Sequence, residues 1–193
     1  MDLTHGTLEE KNDRAKKMML WFGIVSLIMS FAGWTSAFVV SSSRPDWLHD
    51  FQLPNAFIIS TVVIILSSIS FFLAKNALKK DKRQLTTIWL LVTLVLGCVF
   101  IFNQVSGFQQ IINLGYNFTG PTSNVTMSYI YLIAVVHIVH VVVGIICLLV
   151  VIFNHFRNKY NASKMLGLEL ASTFWHFIDL LWIYLFLFLY FIG

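Results

Sequence analysis

The stretch FWHFIDLLW, Phe174 to Trp182, decides how this chain is read, because it sets His176 and Asp179 inside an apolar run of membrane-spanning length. From Leu168 to Ile192 there is no Lys or Arg. The run is long enough to cross ~30 Å of hydrocarbon as a helix rising ~1.5 Å per residue. Three positions apart, His176 and Asp179 share one face of that helix. An Asp near the middle of a membrane helix costs roughly 2.5 to 3.5 kcal/mol on insertion scales. The face that carries it is expected to meet protein, not lipid.

Working outward, the whole chain shares this character. It has 193 residues, 58% hydrophobic and only 11% charged, with 18 Phe and a mean hydropathy of +0.77, more apolar than a soluble core and its surface allow. The fold class is therefore all-α, a polytopic membrane bundle. Five apolar runs are each long enough to span: Met19 to Val40, Asn55 to Ala74, Thr86 to Val105, Met127 to Phe153, and Leu168 to Ile192. Residues 1–18 form a polar N-terminal tail and residues 19–193 the transmembrane domain. The first run lacks a small-residue cleavage site and is read as an uncleaved span.

The charges are distributed as topology determinants. Lys and Arg number 4 in the tail, then 1, 5, 0 and 3 in the successive loops, and 0 at the C-terminal end. By the positive-inside rule the N-terminus lies in the cytoplasm and the C-terminus outside. The net charge of +4 is spread between spans instead of forming a patch, which argues against a nucleic-acid partner. Cys98 and Cys147 fall inside spans without metal-ligand spacing and read as small buried apolar residues. The outer loop from Gly107 to Thr126 carries N-x-T triplets at Asn117 and Asn124, a pattern that also arises by chance. Trp21, Trp47 and Trp89 fall near span ends, as interface anchors do, whereas Trp34, Trp175 and Trp182 sit deeper.

Span four carries a second polar pair, His137 and His140, in VHIVHVVVG. Because spans four and five run in opposite directions, this pair and His176 with Asp179 reach a similar depth and can face one another. Three readings stay open: hydrogen bonds that lock the two helices together, a haem or metal site using the histidines, or a proton or ion pathway. Glu169 stands at the cytoplasmic start of span five, where an acid favours a helix N-terminus. Small residues line span one, among them Gly23, Ser26, Ser30, Gly33 and Ser36, and suit close helix packing. Asn103 and Gln104 are placed at the outer end of span three, hydrogen-bonding in the headgroup region.

With these residues in view, the chain resembles subunit III of the haem-copper terminal oxidases, in the short five-helix bacterial form. FWHFIDLLWIYLF, Phe174 to Phe186, is similar to that family's WHF-x-D-x-x-W signature, and HIVHVVVG, His137 to Gly144, to its H-x-x-H-V-x-x-G. Weaker likeness lies at Leu53 and Pro54, Ser67 and Ser68, Gly97, Phe100 and Gln104, and Gly167 to Ser172. Two positions depart from the pattern. Leu27 stands where relatives carry a membrane glutamate, and Gly107 where they often carry an acid.

The resemblance implies a non-catalytic subunit of a cytochrome c oxidase type complex in a bacterial plasma membrane. Such a complex reduces oxygen to water and pumps protons in aerobic respiration. Haems and copper are then expected in partner subunits I and II, with no metal or cofactor held by this chain and phospholipid bound to it. Its role is to pack on subunit I, support stability and sustained turnover, and assist access of oxygen or protons. Within the same family, a quinol oxidase subunit III or the small subunit of a nitric oxide reductase fits the same motifs, so cytochrome c and quinol both remain candidate donors. From other classes come a membrane haem electron carrier using His137, His140 and His176, and a small transporter coupled through Asp179.

Overall fold

The computed structural model describes residues 7–48, 54–116, 124–160 and 165–192. Leu53, Asn117, Lys164 and the start of the polar tail lie outside the described residues. Five helices follow one another: α1 (Leu8–Ser41), α2 (Asn55–Lys79), α3 (Arg83–Asn113), α4 (Val125–Phe156) and α5 (Leu166–Ile192), each long and apolar enough to cross a membrane.

Every helix is longer than its apolar run, because local signals outside the run set its ends. The polar tail is helical from Leu8, not an extension ahead of Met19. Thr7 and Glu10 close a capping box, the Glu10 N–H donating to Thr7 Oγ1 at 3.3 Å and the Thr7 N–H to Glu10 Oε2 at 2.9 Å. Between α2 and α3 the chain reverses at Asp81, whose φ of 51° is left-handed, a conformation that short polar residues tolerate. Ahead of α4, Asn124 is the N-cap: its Oδ1 accepts the Thr126 N–H at 2.9 Å, while Thr126 Oγ1 accepts the Leu48 N–H at 3.0 Å. The Asn124 triplet thus has a structural use, capping one helix and tying down the chain that leaves another.

Helices α2, α3, α4 and α5 form a closed ring in which each packs on the next and α5 returns to α2, while α1 lies against α4 and α5. The tightest seam is α2 on α3. Ser60, Ser67, Ser70 and Ala74 of α2 and Thr86, Thr93 and Gly107 of α3 are all buried. Small side chains let backbones approach, which is what drives association where lipid is as apolar as the helices themselves. Ser70 Oγ donates to the Trp89 carbonyl at 3.0 Å and accepts from Thr93 Oγ1 at 3.0 Å.

Contacts mark the two ends. At the Lys- and Arg-rich end, Arg83 holds Asn158 Oδ1 and the Tyr160 carbonyl, Thr87 Oγ1 meets His155 Nε2 at 3.0 Å, and Lys17 pairs with Glu169 at 3.4 Å. At the other end, Trp47 is buried with its ring 4.8 Å from Phe38. It packs in the protein instead of anchoring at an interface, whereas Trp21 is 59% exposed. Beside Trp47 an exposed Arg44 and Asp46 form a two-bond pair, which holds the Asp46 carboxyl below its usual range and raises Arg44. One other expectation fails. Cys98 is exposed on the outside of α3. The small residues of α1 do not pack within the chain: a Cβ added to Gly23 or Gly33 would meet nothing within 4 Å, and Ser26, Ser30 and Ser36 are exposed.

Candidate intramembrane polar site

One face of α5 fills the middle of the ring. Trp175 and Trp182 stand seven residues apart on it, each 1% exposed, because two turns bring position i+7 back to the same side. Their indole N–H groups both go to α2, Trp175 Nε1 to Ser67 Oγ at 3.2 Å and Trp182 Nε1 to Thr61 Oγ1 at 3.1 Å. Room for the Trp175 ring comes from two glycines. A Cβ on Gly97 of α3 would lie 2.9 Å from Trp175 Cη2, and one on Gly144 of α4 would lie 2.8 Å from Ile178 Cδ1 and 3.2 Å from the Trp175 ring.

Between these tryptophans sits Asp179, 2% exposed, with the Ser68 hydroxyl of α2 beside its carboxyl. His176, one step round the helix and half-buried, faces α2, where its Nδ1 lies 2.6 Å from Ser68 Oγ and its ring 6.1 Å from that of Phe71. On α4, His137 is fully buried and meets α5 through an aromatic contact. Its ring is 5.0 Å from Trp182, 6.0 Å from Phe100 and 6.5 Å from Phe31, and neither nitrogen has a hydrogen-bond partner. His140 turns toward α1, its ring 5.8 Å from Phe31. Its Nδ1 lies 2.7 Å from the Val136 carbonyl, and since a carbonyl only accepts, Nδ1 carries the proton.

The two polar pairs thus reach the same bundle but do not bond each other. The histidines of span four were expected within hydrogen-bond reach of the polar face of span five; instead His137 presents its ring to Trp182. The physical reason is rotation about the helix axes, which places Trp182 toward α4 and leaves His176 toward α2. Gln104 also departs from its expected headgroup role: it is 0% exposed inside the bundle, with both amide atoms unpartnered. His155, buried at the other end of α4 and bonded to Thr87, escaped the reading of the sequence. Its signal was a lone His just beyond the long apolar run of span four.

Glu169 lies in the first turn of α5 and is paired with Lys17, both partly exposed, so it joins α1 to α5 as well as facing the helix N-terminus. Leu27 is half-buried on α1. Gly107 has no space for an acid, since a Cβ there would come within 3.1 Å of the Phe57 ring. His137, His140 and His176 do not converge on one point. Among the described residues no three His, Cys, Asp or Glu side chains are placed to hold a metal ion. What the site residues do is join four helices around two tryptophans.

Comparison with known proteins agrees with this geometry. The protein-family model for cytochrome c oxidase subunit III matches residues 5–193. A cytochrome bo(3) ubiquinol oxidase subunit 3 of Buchnera aphidicola subsp. Baizongia pistaciae is 30% identical over 147 residues, which cover 75% of this chain and 73% of the relative. A probable quinol oxidase subunit 3 of Staphylococcus aureus is 33% identical over 146 residues, covering 74% and 69%. The signature tryptophans, His137 and Asp179 thus build the interior of a multi-pass membrane subunit, and the chain belongs to the subunit III family of the haem-copper oxidases.

Proposed function

We propose that this chain serves a quinol-oxidising terminal oxidase of a bacterial plasma membrane, packing on subunit I to sustain its stability and turnover. The observation that carries the choice of donor is the pair of relatives above, both named as quinol oxidase subunits. It displaces the cytochrome c type from first place among the readings of the sequence. Oxygen reduction and proton translocation belong to the complex. Haems and copper are assigned to the partner subunits. Two features support a packing role: the buried signature residues act inside the bundle, and the small-residue face of α1 is open in the isolated chain. The N-terminus is placed in the cytoplasm, because the Lys- and Arg-rich loops gather at its end of the bundle.

A phospholipid fits the same role. Leu20, Val143, Cys147, Val150, Leu170 and Phe174 line a groove of about 420 Å³ between α1, α4 and α5. It shares Tyr160 and Gly167 with a cleft lined by Lys16 and Lys159 together with Glu9, Glu10 and Asp13, Lys16 lying 3.9 Å from Asp13. An acyl chain fits the apolar groove, and the mixed charge of the cleft suits a zwitterionic headgroup better than an anionic one. The test is purification of the oxidase with and without this chain, with turnover measured on a quinol and on reduced cytochrome c. Turnover on quinol alone, an unchanged haem spectrum without the chain and faster loss of activity during catalysis are the expected results. Turnover on cytochrome c refutes the donor, and loss of a haem on clean removal refutes the non-ligating role.

A further inference from the structure

Two ionisable side chains on successive turns of α5 meet at a single hydroxyl of α2. His176 Nδ1 lies 2.6 Å from Ser68 Oγ, and the same hydroxyl stands beside the carboxyl of Asp179. The register that brings it there is pinned on both sides, since the indole N–H of Trp175 goes to Ser67 and that of Trp182 to Thr61. The adjacent pair Trp175 and His176 thus faces the adjacent pair Ser67 and Ser68. Drawing Ser68 away from α5 would mean breaking both tryptophan bonds.

The two ends of this trio differ in access. Asp179 is almost wholly buried, so its carboxyl exchanges protons only with groups that touch it. His176 is half-buried at the α2–α5 face, with its ring packed on Phe71. The charged group acting on the ring is the Lys75 ammonium, two turns along α2 from Ser68 toward the Lys- and Arg-rich end. The other histidines of the core are directed elsewhere, His137 to the rings of Trp182 and Phe100, His140 to Phe31 and the Val136 carbonyl. At the start of α5, Glu169 is paired with Lys17.

A hydroxyl set between an acid and an imidazole has one proton to give and lone pairs with which to accept. Against an ionised Asp179, Ser68 donates to the carboxylate and accepts from Nδ1–H of His176, which leaves Nε2 free to take a proton. Against a protonated Asp179 both bonds reverse: the acid donates to Ser68, Ser68 donates to Nδ1, and the ring proton sits on Nε2. We propose that Ser68 and His176 form a proton relay to Asp179, connecting this buried carboxyl with the α2–α5 face of the subunit, whichever electron donor the oxidase takes. In one passage a hydronium ion at that face gives its proton to Nε2 and leaves as water. The Nδ1–H bond breaks as its proton moves to Ser68 Oγ, and the proton that Ser68 held passes to the carboxylate. One proton enters and one reaches Asp179, with serine and ring neutral before and after; reversal empties the site. A ring that ends each passage uncharged suits a place beside a lysine.

The assembled oxidase transferred to D₂O tests this by time-resolved infrared spectroscopy of the carboxyl C=O band that disappears in Asp179→Asn. Hydrogen bonds that only lock α2 to α5 leave the exchange rate of that band alone, whereas a relay sets it. The shift to the deuterated band is expected to slow by about a hundredfold or more in Ser68→Ala and in His176→Phe. Ser68→Thr, which keeps a hydroxyl, is expected to exchange at the wild-type rate. Unchanged exchange in Ser68→Ala or His176→Phe overturns the relay, as does a Thr variant as slow as the Ala variant. A carboxyl band absent at every pH at which the complex is intact overturns it too. If the variants do not assemble, a structure of the wild-type complex decides: Ser68 Oγ within about 3.2 Å of both an Asp179 oxygen and His176 Nδ1 upholds the relay, and a gap beyond about 3.5 Å to either overturns it. Neither readout uses turnover on quinol or cytochrome c, so failure here leaves the choice of donor standing.

Discussion

Replacing Gly97 by Ala probes the centre of the bundle with a single methyl group. The new Cβ would stand 2.9 Å from Trp175 Cη2 and 3.2 Å from its Cζ2, closer than carbon atoms pack. The indole cannot retreat, because Nε1 is bonded to Ser67 and the opposite side of the ring faces Gly144. Overpacking of this kind costs about 1 to 3 kcal/mol, against which Ala gains about 1 kcal/mol over Gly in helix propensity. The net expectation is a loss of about 0 to 2 kcal/mol. Gly33→Ala is the matched control, since nothing lies within 4 Å of a Cβ there, and it should gain about 0.5 to 1 kcal/mol. The two variants are thus expected to differ by about 1 to 3 kcal/mol, on the order of five- to 150-fold in the folded-to-unfolded ratio. Unfolding of the detergent-purified chain in a denaturing-detergent titration, followed by circular dichroism, measures the difference. Trp175→Phe should recover much of the loss in the Gly97→Ala background, because the smaller ring vacates the contact. If Gly97→Ala proves as stable as Gly33→Ala, the reasoning from the glycine cradle is wrong.

Asn124→Ala removes the α4 cap and should cost about 0.5 to 2 kcal/mol, read in the same titration; no change means that the Thr126 N–H finds another acceptor. Glu169→Gln breaks the partly exposed pair with Lys17 and should cost under about 1 kcal/mol, less still at high salt, with recovery of the complex unchanged. The same variant should slow turnover only if Glu169 takes part in proton uptake, and a wild-type pH profile returns it to the role of helix start and ion pair. A hydrophobic carbodiimide should label no carboxylate between Met18 and Val40, where the chain has none, and a modified peptide from that stretch in mass spectrometry would contradict the assignment of Leu27 to the family's glutamate position. Asp179→Leu should lower recovery of the purified complex more than Lys80→Ala, an exposed change at the end of α2; equal recovery counts against an interior role for Asp179.

The number of spans and the residues at their middle were legible in the sequence, because a bilayer accepts only long apolar helices and penalises each ionisable group placed within one. His137, His140, His176 and Asp179 stood out on that ground, and Trp175 and Trp182 by their depth within the run. Helix ends were less legible: Thr7 with Glu10, and Asn124 with Thr126, extend helices past their apolar runs by hydrogen bonds that hydropathy does not register. What only the tertiary structure decided is how the helices are turned about their axes. A shift of one residue rotates a side chain by about 100°, and spacing within one helix says nothing of the neighbour it then meets. Rotation sends His176 to Ser68, gives His137 the ring of Trp182 in place of a hydrogen bond, and buries Gln104 instead of leaving it among headgroups. It also turns the small residues of α1 outward and leaves their face open. Composition set which residues had to be hidden from lipid; the mutual packing of five helices chose the partners.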